Sequence, residues 1–512
     1  MIHTFINVVR GFLSGDGALI LPEMELVLFA CGILLIARWL AANEKHWNAL
    51  LALAGTAFSG FTLYVQHGKM QALREANPES PGLLGFHQSV LVDPFFLFFA
   101  TLFLAATALI ILLSVRYLEA EEHGHGAYYA LLLFVCAGMM LMVSGVDLLV
   151  VLLGLEVTGL SSCLLTAFSR SQPRGHRATR SYAFLWACSS FALAGGFLML
   201  YRLFQTTNLG RVGAILEVRV DNGMPFGGLT APPAVLALVL LVTGAFFLID
   251  AGLFHWFAPG IYESAGTPVA GYLSMAQKTA GFALLLRFFS FLFVFAHQKW
   301  IHVWGGAAIV SLLWGNIRAL RQTNVKRLLA YGSVAQTGFI LLGLVAGNEA
   351  GFSGMMYYLG VHVFMTAGAF GVLILLDRWG MAVTELADLD GLYRRSPAAA
   401  LLLVVFMMSL AGIPPTAGFV AKYNIVKALM AAPHPELAAF AVVNALLAVY
   451  YYGRVVARAW KKPPADRPPL EEAALTISSG ETVALTAAVF VSLAAGLYPE
   501  PFLRMARYAF GQ

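Results

Sequence analysis

Charge is scarce in this chain. Lys, Arg, Asp and Glu make up 12% of 512 residues, about half their usual share in a soluble domain, so no water-soluble domain is hidden here. Cysteine is scarcer still. Cys31, Cys136, Cys163 and Cys188 all fall in apolar stretches without CxxC or His-rich spacing, which excludes zinc or an iron–sulfur cluster and leaves the four as buried fillers. Strand-like alternation is missing, and with it any barrel pattern or any strand that could carry a glycine-rich phosphate loop. Nucleotide and flavin sites are excluded on that ground, and redox chemistry belongs to a partner. The net charge of +5 calls for no nucleic acid, because a membrane protein gathers basic residues on its inner face anyway.

What the chain has is apolar length: 59% of its residues are hydrophobic. Runs of about twenty, enough to cross roughly 30 Å of hydrocarbon, recur from Leu19 to the C-terminus. About fourteen can be counted, centred on Val27, Leu53, Phe99, Phe134, Leu155, Leu193, Val242, Leu284, Val310, Leu342, Ala367, Phe406, Val443 and Phe490. Lipid offers a bare peptide group no hydrogen-bond partner, so these spans are helices. The expected fold is all-α, a polytopic membrane bundle of about fourteen helices. The opening MIHTFINVVRG has no cleavage site and runs into a span too long for a signal peptide, so no cleaved presequence is expected.

Basic residues set the orientation. Arg170, Arg174, Arg177 and Arg180 follow the fifth span; Arg318, Arg321, Lys326 and Arg327 the ninth; Arg454, Arg458, Lys461, Lys462 and Arg467 the thirteenth. These connections share one face, which the positive-inside rule puts in the cytoplasm. Both termini are then outside a cell inner membrane. The connection before the seventh span, with Arg202, Arg211 and Arg219, is the exception.

Against this apolar background a few ionisable groups stand out. Lys278 lies in GYLSMAQKTAGFALLLRFF, Lys422 in SLAGIPPTAGFVAKYNIV and Glu156 in LLVVLLGLEVTGLSSCLL. A charge at that depth costs a few kcal/mol and normally faces protein or water. A snorkelling lysine at a helix end is the plain alternative, but both lysines sit mid-motif beside small residues or a break. Two segments interrupt the helices: FHWFAPGIYESAGTPVAG with Pro259, Gly260, Gly266 and Pro268, and LAGIPPTAGFVAKY with Gly412, Pro414, Pro415 and Gly418. Proline removes an amide donor and kinks or divides a helix. Paired interruptions in two halves point to inverted repeats with an ion site near the midplane. The expected division is 1–118 for three leading spans, 119–300 and 301–462 for two repeats with broken helices 7 and 12, and 463–512 for a linker and last span.

The segments GNIRALRQTNVKRLLAYGSVAQTGFILLGL, FHWFAPGIYESAGTPVAGYLSMAQK and MMSLAGIPPTAGFVAKY, with LLGLE at Leu152 to Glu156, resemble subunit N of the proton-pumping NADH-quinone oxidoreductases, respiratory complex I. Looser versions run through the wider antiporter-like family, including multisubunit sodium/proton antiporters and membrane-bound hydrogenases; YPEPFL and YYYGRV favour the subunit N branch. The resemblance implies two half-channels joined by a horizontal line of lysines, acids and histidines. Its acid on span five falls on Glu156, its span-eight lysine on Lys278 and its span-twelve lysine on Lys422. Its lysines on spans seven and six fall on Leu248 and Ser181, and its span-ten histidine on Gln336. His255 is kept, and His362 stands where subunit N usually has tyrosine.

Two expected charges are thus absent. Asp250 is two residues past Leu248, and on a regular helix that step turns a side chain about 200° away, an objection that a broken helix relaxes. It also replaces a base with an acid, expected to repel Glu156, which leaves the first half-channel rewired or silent. Glu156 without its lysine reads equally as a structural carboxyl bonded to Thr158 or Ser161, and His255 and His362 as satisfied interior histidines. The resemblance further implies Lys278 as central relay, Lys422 as exit-side gate and a subunit without cofactors of its own. NADH, FMN, iron–sulfur clusters and quinone would sit in partner subunits, and neighbouring antiporter-like subunits and lipid would surround this one. A sodium/proton antiporter component and a largely structural subunit of a related oxidoreductase or hydrogenase remain as alternatives.

Overall fold

Where lipid replaces water, every peptide group must find its partner inside the chain. The computed structural model, which describes residues 15–40, 44–78, 80–119, 125–168, 173–378, 383–462 and 477–510, satisfies this with helices almost throughout. Arg170 and Arg467, the opening segment and the last two residues lie outside the described residues.

The helices begin with α1 (Leu21–Ile36), α2 (His46–Ala76), α3 (Pro94–Glu119), α4 (His125–Ser144), α5 (Leu148–Thr166) and α6 (Pro173–Phe204). An amphipathic α7 (Leu209–Asp221) leads into α8 (Pro232–Ile249), short α9 (Ala258–Ser264) and α10 (Thr267–Tyr272), then α11 (Lys278–Phe291) and α12 (His297–Leu320). The second half comprises α13 (Val325–Ala346), α14 (Glu349–Arg378), one-turn α15 (Leu392–Arg395), α16 (Pro397–Ala411), α17 (Ala417–Ala431), α18 (Pro435–Trp460), α19 (Ser479–Leu497) and α20 (Glu500–Ala509). Among the described residues eleven helices are long and apolar enough to cross a membrane. The three remaining expected centres, Val27, Leu284 and Phe406, fall in the shorter α1, α11 and α16.

Local chemistry sets the ends. Pro232 and Pro397 open α8 and α16, where a missing N–H costs nothing. Asn324 accepts the Arg327 amide to start α13, and Ser478 with Glu481 forms a reciprocal cap on α19.

Two helices make the centre. In α13 and α14, 94% and 89% of the most apolar stretch is buried, against 33% in α6, α18 and α19. Side chains projecting from α13 and α14 are therefore screened from lipid. Small residues allow close approach: α12 meets α13 where a Cβ on Gly315 would stand 2.6 Å from the Ala335 nitrogen and 2.8 Å from the Tyr331 oxygen. The AGGF stripe works the same way, with Gly196 against Leu241.

One buried ion pair braces the first half. Arg287 on α11 gives paired hydrogen bonds to Asp93 (2.6 and 3.0 Å), two more to the Val143 carbonyl, and lies 4.5 Å from the Phe95 ring centre. Every charge there is answered, the condition for a buried pair to hold.

Two expectations need correction. Of the cysteines only Cys136 is buried; Cys31 is exposed and Cys163 and Cys188 are half-buried. A lipid-facing surface is as apolar as the interior, so hydropathy could not tell them apart. The chain also has a small antiparallel hairpin, β1 (Leu83–Gly85) with β2 (Val90–Val92), too short to show alternation. Arg211 and Arg219 ride on amphipathic α7.

Gly315→Ala should lower the midpoint of thermal unfolding, by overpacking worth about 1–3 kcal/mol. Gly306→Ala, on the same helix with nothing within 4 Å of its Cβ, should leave the midpoint unchanged or raise it slightly. A thermal melt of the two variants in one detergent separates them.

Candidate functional site

Two helices stop inside the bundle. α8 ends at Ile249, after which Asp250 takes a left-handed conformation (φ 54°, ψ 42°) and a short 3-10 turn, Gly252–Trp256, leads to α9. α16 ends at Ala411, Gly412 is left-handed (φ 84°, ψ 48°), and α17 starts again at Ala417. Each stop frees carbonyls that have no lipid or water to bond.

Adjacent residues of α13 answer both breaks. Thr337 donates to the Ile249 carbonyl (3.0 Å), and Gln336 donates to the Leu410 carbonyl (2.8 Å). At the second break Lys422 from α17 adds its ammonium, donating to the carbonyls of Leu410 (3.1 Å) and Ala411 (2.8 Å). A cation at the C-terminus of a helix sits at the negative end of its dipole. The Phe339 ring centre lies 5.0 Å away, and among the described residues no carboxylate comes within 4.0 Å of this ammonium.

At the first break the cation has an acid. Lys278 opens α11 just after a π turn, Leu273–Gln277, an irregularity that often marks functional positions. Its Nζ is 3.2 Å from Asp250 Oδ2 and donates to Ser333 Oγ at 2.8 Å. Lys278 is 3% exposed and Asp250 8%, so the pair is closed off from both lipid and water.

This corrects the expected direction of Asp250. Leu248 and Ile249 pack on α11 at Gly281; a third helical step would carry Asp250 past that helix. The left-handed residue breaks the step of about 100° and returns the carboxylate to α11, one turn before Gly281. Asp tolerates that conformation better than most residues. The acid's close charged partner is Lys278. Glu156 is held elsewhere: Ser190 on α6 donates to it, while Thr158 bonds the Gly154 carbonyl.

Between the lysines lies a small enclosed cavity lined by Ser274, Ser333, Gln336, His362, Thr366 and Leu410, among others. Ser333 and Gln336 are one turn apart on α13, and Tyr358, His362 and Thr366 stand on successive turns of α14. Tyr358 donates to the Gln336 side-chain oxygen, and His362 Nε2 is 3.4 Å from Thr366 Oγ1. Polar groups thus run from Asp250 through Lys278, Ser333, the cavity and Gln336 to the Leu410 carbonyl and Lys422. Hydroxyls and imidazole can each take a proton and pass one on, and the Gln336 amide can hold a water chain in place without carrying charge.

The structure therefore brings together Asp250, Lys278, His362 and Lys422. Glu156 bonds to α6, and His255 has Nδ1 on the Gly252 carbonyl at 2.6 Å, with Nε2 buried beside Trp314 and without a hydrogen-bond partner among the described residues. Sequence reading missed Ser333, Thr337, Tyr358 and the Gln277–Tyr182 hydrogen bond, because uncharged residues leave no trace in hydropathy. Ser333 had one available signal, its place three residues before Gln336 on one helix face. At the basic end, Arg327 pairs with Glu263 (2.7 Å) and Lys326 with Asp377 (3.7 Å). Among the described residues no group of three or more His, Cys, Asp and Glu side chains is placed to hold a metal ion.

Comparison with known proteins gives the same outline. Residues 145–448 match the family described as NADH:quinone oxidoreductase/Mrp antiporter, TM. NADH-quinone oxidoreductase subunit N 1 of Koribacter versatilis is 40% identical over 499 residues, 96% of this chain and 95% of that one. A chain of respiratory complex I from Thermus thermophilus, solved with bound aureothin, superposes with a TM-score of 0.75 at 26% identity, over 94% of this chain and 98% of that one. A chain of the Mrp complex from Dietzia sp. superposes at 0.78 with 21% identity, over 95% of this chain and 96% of that one, a likeness of fold alone. The chain belongs to the NADH:quinone oxidoreductase/Mrp antiporter family of membrane subunits.

Proposed function

We propose that this chain is a subunit N-type, proton-translocating membrane subunit of an NADH-quinone oxidoreductase, in which quinone reduction in partner subunits drives protons across the membrane through buried groups of this one. The observation that carries the reading is the Lys278–Asp250 contact and its polar continuation to Lys422. NADH, FMN, iron–sulfur clusters and quinone belong to partner subunits, and neighbouring membrane subunits of the same complex flank the chain. About fourteen helices cross a cell inner membrane, with the Arg318, Arg327 and Arg458 end in the cytoplasm and both termini outside. Residues 1–118 precede two inverted repeats, 119–300 and 301–462, and 463–512 form a linker and last span. The breaks at Asp250 and Gly412 are their discontinuous helices 7 and 12.

An ammonium beside a carboxylate keeps its proton; parted from it in a dry site, it gives the proton up. Partner subunits moving the α8 break would pull Asp250 from Lys278. The proton then leaves Lys278 Nζ for the Ser333 hydroxyl, which passes its own proton to the water-sized cavity beyond; Lys422, once it has released its proton and stands as a neutral amine, takes one up past Gln336, with His362 beside the path. Lys422, held by carbonyls rather than by an acid, releases it toward the exit. Return of Asp250 favours reloading of Lys278 from the cytoplasmic side, and Glu156 and His255 serve the entrance. The absence of lysine at Leu248 and Ser181 had left a silent first half-channel open; Asp250 beside Lys278 restores an acid–base pair there and favours a rewired one.

In reconstituted vesicles of the whole complex, Lys278→Ala and Asp250→Asn should each lower the protons moved per NADH, and Asp250→Glu should restore part of the loss. Asp250→Asn should cost more than Glu156→Gln, since it strands a buried cation, a change worth about 3–5 kcal/mol. Unchanged stoichiometry in both Lys278→Ala and Asp250→Asn would return the chain to a structural role.

Gln336→Leu should slow pumping at least tenfold, a barrier change of only ~1.4 kcal/mol, while Gln336→His should keep the line connected. Equal pumping rates for the Leu and His variants in the same vesicle assay would mean that protons bypass residue 336.

A further inference from the structure

The thirteenth span ends in a cavity that the proton line does not use. Beside the C-terminal end of α18 an opening of about 870 Å³ is lined by Thr323, Glu385, Leu386, Arg454, Arg458, Trp460 and Lys461, among others. Arg454, Arg458 and Lys461 are spaced by four and three residues, one face of the helix. Their surroundings leave positive charge over. Arg454 gives its donors to the backbone carbonyls of Leu320 and Gln322, and Lys461 has no side-chain partner among the described residues. Arg458 reaches Asp390 at 3.2 and 3.4 Å. Glu385, whose carboxylate accepts the Asp388 amide in a capping box, and Asp390 set two negative charges against the three cations, which leaves one positive charge over.

The same helix face continues as bare hydrocarbon surface. Val443, Leu446 and Tyr450 are 57%, 65% and 62% exposed, and Val443 and Arg454, like Tyr450 and Lys461, are about three turns apart on one line. Trp460, half exposed and stacked on Tyr393, closes the far side of the mouth at the end of α18, and Trp gathers where a helix meets a membrane interface. A cationic mouth above an apolar stripe on one helix has the shape of an anionic phospholipid. We propose that Arg454, Arg458 and Lys461 bind the phosphate of an anionic phospholipid of the cytoplasmic leaflet, with its acyl chains along Val443, Leu446 and Tyr450. Basic pockets between helices on that side are suited to such headgroups. Because Arg454 also clamps the turn between α12 and α13, the lipid would steady the helix that closes both breaks. The site rests on the membrane orientation given above, not on the proton line.

The intact complex, held in nanodiscs, is exposed to photoactivatable phosphatidylglycerol or to photoactivatable phosphatidylcholine, and labelled peptides are mapped. Phosphatidylglycerol should label the Val443–Lys461 stretch and phosphatidylcholine should not. The pair Arg458→Gln and Lys461→Gln, which spares the Arg454 clamp, should lower that labelling about twenty-fivefold, at roughly fivefold per cation, with NADH oxidation retained as the sign of an assembled complex. Equal labelling by both lipids, or labelling indifferent to the two substitutions, would overturn the proposal. So would displacement of the label by millimolar inorganic phosphate, which marks a site for free anions, or cross-linking of this stretch to an acidic segment of a neighbouring subunit in place of lipid. If proton pumping withstands Lys278→Ala but the labelling pattern holds, the proton reading fails and the lipid site stands.

Discussion

The contact between Lys278 and Asp250 is the constraint around which the interior is arranged. Two opposite charges buried in hydrocarbon gain from each other only when their geometry is good and their remaining hydrogen bonds are met. The chain meets those terms with three local devices. A left-handed residue at the end of α8 turns the carboxylate onto α11, a π turn sets Lys278 at the start of that helix, and Ser333 supplies a neutral oxygen to the ammonium. Arg287, nine residues further along α11, holds that helix to Asp93 and Val143 and so fixes where Lys278 stands.

α13 is the element that joins the two broken helices. Ser333, Gln336 and Thr337 on it contact Lys278, the Leu410 carbonyl and the Ile249 carbonyl in turn. Both breaks therefore hang on one almost wholly enclosed helix. The two lysines are not equivalent. Lys278 faces a carboxylate, which can be moved away; Lys422 faces the carbonyl end of α16, whose partial charge is fixed in the fold. In the proposed pathway, a carrier with a variable partner and one with a constant partner form a directional pair.

Much of this was legible in the sequence, for a physical reason. Lysine in an apolar run is costly enough to stand out, so Lys278 and Lys422 announced themselves, and helix centres follow from hydropathy because lipid leaves the backbone no alternative. The broken segments showed in Pro259, Pro268, Pro414 and Pro415. What stayed hidden was direction and neutral polarity. Asp250 was visible as a charge, but regular helical stepping aimed it away from α11, and one left-handed residue reversed that. Ser333, Thr337 and Tyr358 carry no charge, and their hydroxyls count for little in hydropathy until the helices around them are assembled. Cys31 was read as buried because an apolar residue facing lipid and one facing protein look alike.

Maps of the assembled complex, at a resolution that shows waters, recorded at rest and during turnover, test the Lys278–Asp250 switch most directly. At rest the two side chains should touch near the 3.2 Å seen here. During turnover a fraction of particles should show Asp250 withdrawn and water joining Ser333 to Gln336. An unbroken pair and a dry cavity in every state, with protons still pumped, would contradict it.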